Sequence, residues 1–190
     1  MKSTLTPWEI KGEIDYKKLI KEFGLSIIKE LPEIFNKEII FRRKIIFAHR
    51  DYQRILETIK NKKEFVMMTG LMPTGKFHLG HLLVAKQFSF YQKLGAKIYI
   101  AVADIEAYNT RNQSLEESRK IAIEEYITNY FALGLEEKNL EIYFQSERSK
   151  SAEKSNAYYR LQNVLAKYAT FNEFKAVYGE ITPGKMISSL

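Results

Sequence analysis

The run Met68-Thr69-Gly70-Leu71-Met72-Pro73-Thr74-Gly75-Lys76-Phe77-His78-Leu79-Gly80-His81 holds two of the chain's three histidines. They stand three apart, after a Pro/Gly loop and at the start of an amphipathic helical pattern. A helix N-terminus carries unpaired N–H groups and a partial positive charge, so an anion placed there is held before any side chain contributes. Histidines at that mouth add donors where negative charge grows during attack on a phosphoryl group. Gly80 between them leaves room for a flat group, such as a nucleobase, against the backbone. The plainer use of the pair is as polar residues capping a surface helix. Metal ligation is disfavoured, because the chain has no cysteine, no HExxH arrangement and no carboxylate beside His78 and His81.

The elements that must position this loop follow from periodicity. Phe65-Val66-Met67-Met68-Thr69 reads as a strand, 79–94 as a helix ended by Gly95, and 97–103 as a second strand. The second is a continuous apolar run, as in a sheet covered on both faces. Ser114-Leu115-Glu116-Glu117 reads as a capping box opening a helix that runs to Gly134. A strand at 141–145 and a helix at 155–169 follow. Strands alternating with helices predict an α/β fold with a parallel sheet and ligands at the carboxyl ends of its strands, where His78, His81 and Glu106 fall. Before it, residues 15–35 read as amphipathic helix broken near Gly24 and Pro32. The division expected is an N-terminal extension over 1–63 and the sheet-bearing domain over 64–190.

Composition bounds this reading without choosing it. With 190 residues and 45% hydrophobic content, the chain can bury one ordinary core plus an extension. An apolar run long enough to span a bilayer and a signal peptide are both missing, so a cytoplasmic protein without a membrane partner is expected. The net charge of +7 favours a polyanionic partner or a solvated lysine-rich surface.

Phe77-His78-Leu79-Gly80-His81 resembles the HIGH motif of class I aminoacyl-tRNA synthetases, and the Thr69-Gly70-x-x-Pro73-Thr74-Gly75 loop resembles the one those enzymes carry after their first strand. Pro7-Trp8 through Gly24, followed by Phe41-Arg42-Arg43 through His49-Arg50-Asp51, resembles the extension that precedes the catalytic domain in archaeal and eukaryotic tryptophanyl-tRNA synthetases. Ala103-Asp104-Ile105-Glu106-Ala107-Tyr108 and Phe174-x-x-x-Tyr178-Gly179-Glu180-Ile181-Thr182-Pro183-x-Lys185-Met186 are similar to the archaeal members. The likeness runs from about Thr6 to Leu190.

The resemblance implies a Rossmann-like class I catalytic domain preceded by a small cap. It implies ATP- and Mg²⁺-dependent activation of tryptophan to its adenylate and transfer to tRNA(Trp), by an enzyme that is a homodimer at full length. His78 and His81 would then donate to phosphate oxygens in the transition state. Pro73, Thr74, Gly75, Lys76 and Gly80 would border the phosphate path, and Trp8 would close over ATP. Met68, Thr69, Gly70, Ala101 and Glu106 would meet tryptophan, with Glu106 taking its cationic amino group or indole side. Asp104, one strand period from Glu106, would face the same way or brace the site. Arg42, Arg43 and Arg50 could contact phosphates or tRNA. Eukaryotic members carry glutamine at the place of Ala101 and tyrosine at that of Met68, so the polar contacts of the pocket differ here. A phenol needs a dedicated hydrogen-bonding partner, and Met68 stands where tyrosyl-tRNA synthetases usually place one.

The resemblance implies that the family's KMSKS loop, the second half of its nucleotide fold and its anticodon-binding domain lie well beyond residue 190. Lys185-Met186-Ile187-Ser188-Ser189 imitates that loop, but follows Thr182-Pro183, a good helix start, where the family has a helix. The expectation is a shortened synthetase that exposes apolar surface and is inactive alone. The rivals are a tyrosyl-tRNA synthetase fragment, a small nucleotidylyltransferase and a non-catalytic nucleotide-binding paralogue.

Overall fold

A computed structural model describes residues 4–5, 10–11, 15–148 and 152–189. Asp15 accepts the Lys17 and Lys18 amides at 3.0 and 3.2 Å and so opens α1 (Tyr16–Glu22), which closes before Gly24 at φ +60°. Ser26–Ile27 pairs antiparallel with Ala48–His49. Between them Pro32 starts a 3-10 turn (Glu33–Lys37), and α2 (Ile39–Arg42) follows. The helix α3 (Gln53–Lys60) leads to the sheet.

The sheet has three parallel strands in the order β1 (Val66–Leu71), β2 (Lys97–Val102), β3 (Leu140–Phe144). Between β1 and β2 runs α4 (Leu79–Lys93), stopped at Gly95 with φ +97°. The link from β2 to β3 is α5 (Asp104–Arg111), α6 (Leu115–Ile121), a π turn over Ala122–Ile127, and α7 (Thr128–Ala132) before Gly134. The Ser114 hydroxyl accepts the Glu117 amide at 3.0 Å, as the sequence predicts for this cap. After β3 come α8 (Gln145–Arg148), α9 (Ala152–Ala166), α10 (Phe171–Tyr178) and α11 (Pro183–Ser189). α10 was not expected, although Thr170 and Glu173 form a full capping box.

Side chains alternate across the pleat. Ile98, Ile100 and Val102 are fully buried and join Ala85 and Phe88 of α4 with Ala122, Tyr126 and Tyr130 in one core. On the other face of β1, Val66 and Met68 are 57% and 63% exposed. Cover on both faces therefore holds for Ala101 of the central strand, which is buried, and fails on the edge strand.

Residues before the sheet contribute to the same core. The ring of Phe35, fully buried, lies 4.8 Å from Phe90 and 5.0 Å from Phe41, each tilted edge-on. Tyr52 and Tyr91 join their hydroxyls beside them. Burial pushes both phenol pKa values up, reinforced at Tyr52 and opposed at Tyr91 by that bond. Among the described residues, no helix is long and apolar enough to cross a membrane.

Candidate active site

Strands β1 and β2 end side by side, with the Ala103 amide donating to the Leu71 carbonyl at 2.8 Å. The glycine-containing loop leaves β1 here, and α5 leaves β2 directly. Both lie at the carboxyl edge of a parallel sheet, the edge at which open α/β folds bind ligands.

His78 is the N-cap of α4, in extended backbone with φ −143°. Its Nδ1 accepts the Gly80 amide at 3.1 Å, while the Nδ1 of His81 reaches back to accept the His78 amide at 3.2 Å. Two imidazoles thus build the reciprocal cap that Ser/Thr and Glu usually form. The cap and the chemistry are not alternatives. With Nδ1 of each ring accepting, the proton sits on Nε2, which is left as an outward donor at a helix N-terminus. The rings lie 3.8 Å apart, tilted by 32°. Partial burial, and then the charge of His78, hold the His81 pKa below its ordinary value.

The flat group lying on Gly80 in this structure is the His78 ring. A Cβ at Gly80 would sit 3.0 Å from its Cε1, so a side chain here would press on the ring that forms the cap.

The loop before the cap is held along its length by α5, the link from α5 to α6, and the π turn. Thr110 Oγ1 approaches Met72 Sδ at 3.9 Å, and Gln113 Nε2 donates to the Pro73 carbonyl at 2.8 Å. Tyr126 donates to the Thr74 carbonyl at 2.7 Å. Lys76 pairs with Glu125. Gly75, at φ +70°, makes the turn that a side chain would strain. Pro73 is buried, whereas Gly75 and Lys76 are exposed.

The residues expected to meet tryptophan divide by pleat and by element. Gly70 stands opposite Ala101 and Met68 opposite Tyr99 in the β1–β2 register, so Met68, Gly70 and Ala101 share one face. Thr69, between them, belongs to the other face. Glu106 does not continue a strand. It lies in the first turn of α5, so the expectation that Asp104 would face the same way fails: residues two apart on a helix point apart.

Asp104 turns inward and is 1% exposed. Its Oδ1 accepts the Ile105 amide at 3.0 Å and the Ser146 amide at 3.1 Å, and its Oδ2 accepts the Ser146 hydroxyl. The brace ties α5 to the chain just beyond β3. Glu106 is half-buried, and burial raises its carboxyl pKa against the opposing pull of Arg111. Such a carboxylate gains from a cation or an N–H donor brought to it.

Arg50 donates to the Phe23 carbonyl, and Arg42 reaches the Asn36 carbonyl at 3.5 Å, so both serve the extension's own backbone. Arg43 is exposed. Trp8 lies outside the described residues. Lys185-Met186-Ile187-Ser188-Ser189 is helical, as the Thr182-Pro183 start predicts, and α11 packs on α5. Asn109 donates to Ser188 Oγ at 3.1 Å, and a Cβ at Gly184 would lie 2.8 Å from the Asn109 carbonyl. The imitation of a lysine-serine loop is thus a packed helix. Sequence reasoning missed Gln113, Glu125, Tyr126 and Ser146, which support the site from distant segments. No local signal marks them.

Residues 60–185 match the family model of the class I tRNA synthetases (W and Y). The chain belongs to that family. Among curated synthetases it is 44% identical to the tryptophan–tRNA ligase of Methanocaldococcus jannaschii over 92% of this chain and 46% of that protein. It is 40% identical to that of Aeropyrum pernix over 98% and 50%. The crystal structure of the Aeropyrum pernix tryptophanyl-tRNA synthetase superposes with a TM-score of 0.79, covering 92% of this chain and 47% of that one. The Plasmodium falciparum tryptophanyl-tRNA synthetase, 28% identical, superposes at 0.77 over 92% and 50%. The synthetase chain described here spans about half the length of the curated relatives it matches.

The imidazole pair sets two Nε2 donors at a helix N-terminus, a place whose chemistry suits an anion. They do not form a cage for Mg²⁺, which takes oxygen ligands. Among the described residues, no group of three or more His, Asp or Glu gathers.

Proposed function

We propose that this chain carries the half of a tryptophan-activating site that binds the α- and β-phosphates of ATP and the amino acid. The observation that carries the reading is the imidazole pair at the start of α4, whose mutual cap leaves two Nε2–H donors at a helix N-terminus. In the reaction, the tryptophan carboxylate attacks the α-phosphorus and pyrophosphate leaves. His78 and His81 donate to the oxygens on which charge accumulates, and because the cap fixes their orientation beforehand, little reorganisation is needed at the moment of reaction. Lys76 borders the same path. Mg²⁺, when bound, neutralises pyrophosphate charge.

Glu106 meets the α-amino group or the indole side of the substrate. Met68 offers exposed apolar surface on the sheet face it shares with the buried Ala101, which suits an indole better than a phenol that must be hydrogen-bonded. Transfer to tRNA(Trp), a cytoplasmic place in translation, a homodimer at full length and a capping action of the segment before residue 64 complete the proposal.

Tryptophan-dependent exchange of pyrophosphate into ATP tests it. The assay is run on this chain and on the same chain extended by the segment its relatives carry after the matched region. Exchange with tryptophan in the extended form supports the reading. Exchange with tyrosine instead, or with neither, overturns it.

A further inference from the structure

The phosphate loop is gripped most tightly by two consecutive residues, Glu125 and Tyr126, and both belong to the π turn. Consecutive residues of an α-helix point roughly 100° apart and seldom serve one short segment. In the turn over Ala122–Ile127 they do: Glu125 pairs with Lys76, while Tyr126 reaches the Thr74 carbonyl. π turns inside α-helices concentrate at functional sites because they cost backbone regularity. Here the cost is offset by side chains that satisfy the turn: Thr128 Oγ1 donates to the Ile123 carbonyl at 2.7 Å and Asn129 Nδ2 to the Glu125 carbonyl.

Tyr126 is fully buried and spans the two halves of the site. Its hydroxyl holds Thr74. Its ring stands edge-on to His81, 4.8 Å between centroids at 77°, and 6.0 Å from Phe77. One rigid side chain thus touches the loop that borders the phosphates and the histidine that donates to them.

We propose that Tyr126, delivered by the π turn, is a positioning residue that sets the phosphate loop and the His81 ring in register with each other. The identity of the bound group rests on the functional reading above, but the coupling of loop to ring does not. A core tyrosine of no consequence for the site would support the fold as a whole and nothing selectively. A positioning tyrosine confines its effect to residues 74–81.

The test is amide hydrogen exchange and imidazole NMR on the ligand-free chain, comparing Tyr126→Phe with Tyr126→Ala. In Tyr126→Phe the ring stays and the hydroxyl goes. Loss of one such hydrogen bond corresponds to about five- to tenfold faster exchange at the Thr74 amide, which donates to the Met72 carbonyl at 2.9 Å. The Ile100 amide in β2 should change less than about twofold, and the His81 titration should stay depressed. In Tyr126→Ala the ring goes too, and the His81 midpoint should move up toward an ordinary histidine.

Unchanged exchange at Thr74 in Tyr126→Phe, or equal acceleration at Thr74 and Ile100, overturns the proposal. In the extended protein, Tyr126→Phe should lower kcat for pyrophosphate exchange about tenfold, with KM for tryptophan unchanged. If the unaltered extended protein shows no exchange, the functional reading fails, while the ligand-free measurements still decide whether Tyr126 couples loop and ring.

Discussion

Replacing Asp104 by alanine removes the carboxylate that ties α5 to the chain beyond β3. Three donors lose their acceptor: the Ile105 amide, the Ser146 amide and the Ser146 hydroxyl. Hydrogen bonds to a charged group are worth about 1.5–3 kcal/mol each, and an orphaned buried donor costs about 1–3 kcal/mol. Asp104 is 1% exposed, but Ser146 is only half-buried, so water recovers part of the loss on that side. Removing a negative charge from the first turn of α5 adds about 0.3–1 kcal/mol. The net expectation for Asp104→Ala is a loss of about 3 kcal/mol, a large share of the roughly 5–15 kcal/mol that stabilises a domain. Asp104→Asn keeps an acceptor for both amides and should lose only about 1 kcal/mol. Urea unfolding of this chain followed by circular dichroism at 222 nm reads both variants. A loss below about 1 kcal/mol in the alanine variant, within the value of an ordinary neutral hydrogen bond, would refute the claim that this buried brace anchors α5.

Three further outcomes are expected. Glu106→Gln removes a carboxyl whose pKa is raised by burial, so the native state binds its proton more tightly than the unfolded chain. Ionised Glu106 therefore costs stability as pH rises through its folded pKa, and the glutamine variant should be no less stable than the parent at pH 7 while losing about tenfold or more in tryptophan affinity by calorimetry; tight binding retained would remove Glu106 from the site. His81, depressed chiefly by burial, should titrate by NMR below an ordinary histidine, and His78→Gln should raise its midpoint by removing the second cause. Its contribution to stability is complete above the unfolded histidine value and falls as pH drops from there through the folded pKa; an ordinary midpoint in the folded chain would contradict the geometry. Gly184→Ala places a methyl 2.8 Å from the Asn109 carbonyl and should force α11 from α5, at a cost of about 1–3 kcal/mol in a melt. A neutral effect would mean that the two helices do not pack as described.

The chain's local signals were legible because they act through hydrogen bonds between near neighbours. The His78–His81 spacing announces a helix start, and the structure builds that cap from contacts two and three residues apart. Gly95, Gly134 and Pro183 punctuate helices where their own backbone preferences demand it. The alternation of strand and helix announced the parallel order of β1 to β3.

Other features required the folded chain. Ala103-Asp104-Ile105-Glu106 reads equally well as a strand end, and what makes it a helix start with an inward carboxylate is Ser146, 42 residues away. Tyr126 looks like any core aromatic until the π turn sets its hydroxyl on Thr74, 52 residues back. The burial of Phe35 against Phe90 makes residues before the sheet part of its core, a contact between segments that no local pattern announces. Sequence by itself determined the strands and helices around the loop and the donors at the site, since propensity and capping depend on residues a turn apart, whereas Ser26–Ile27, α5 and α10 were not read from it. Which surfaces meet, and therefore how the loop is held, was decided by packing, because burial is shared among segments that no short spacing connects.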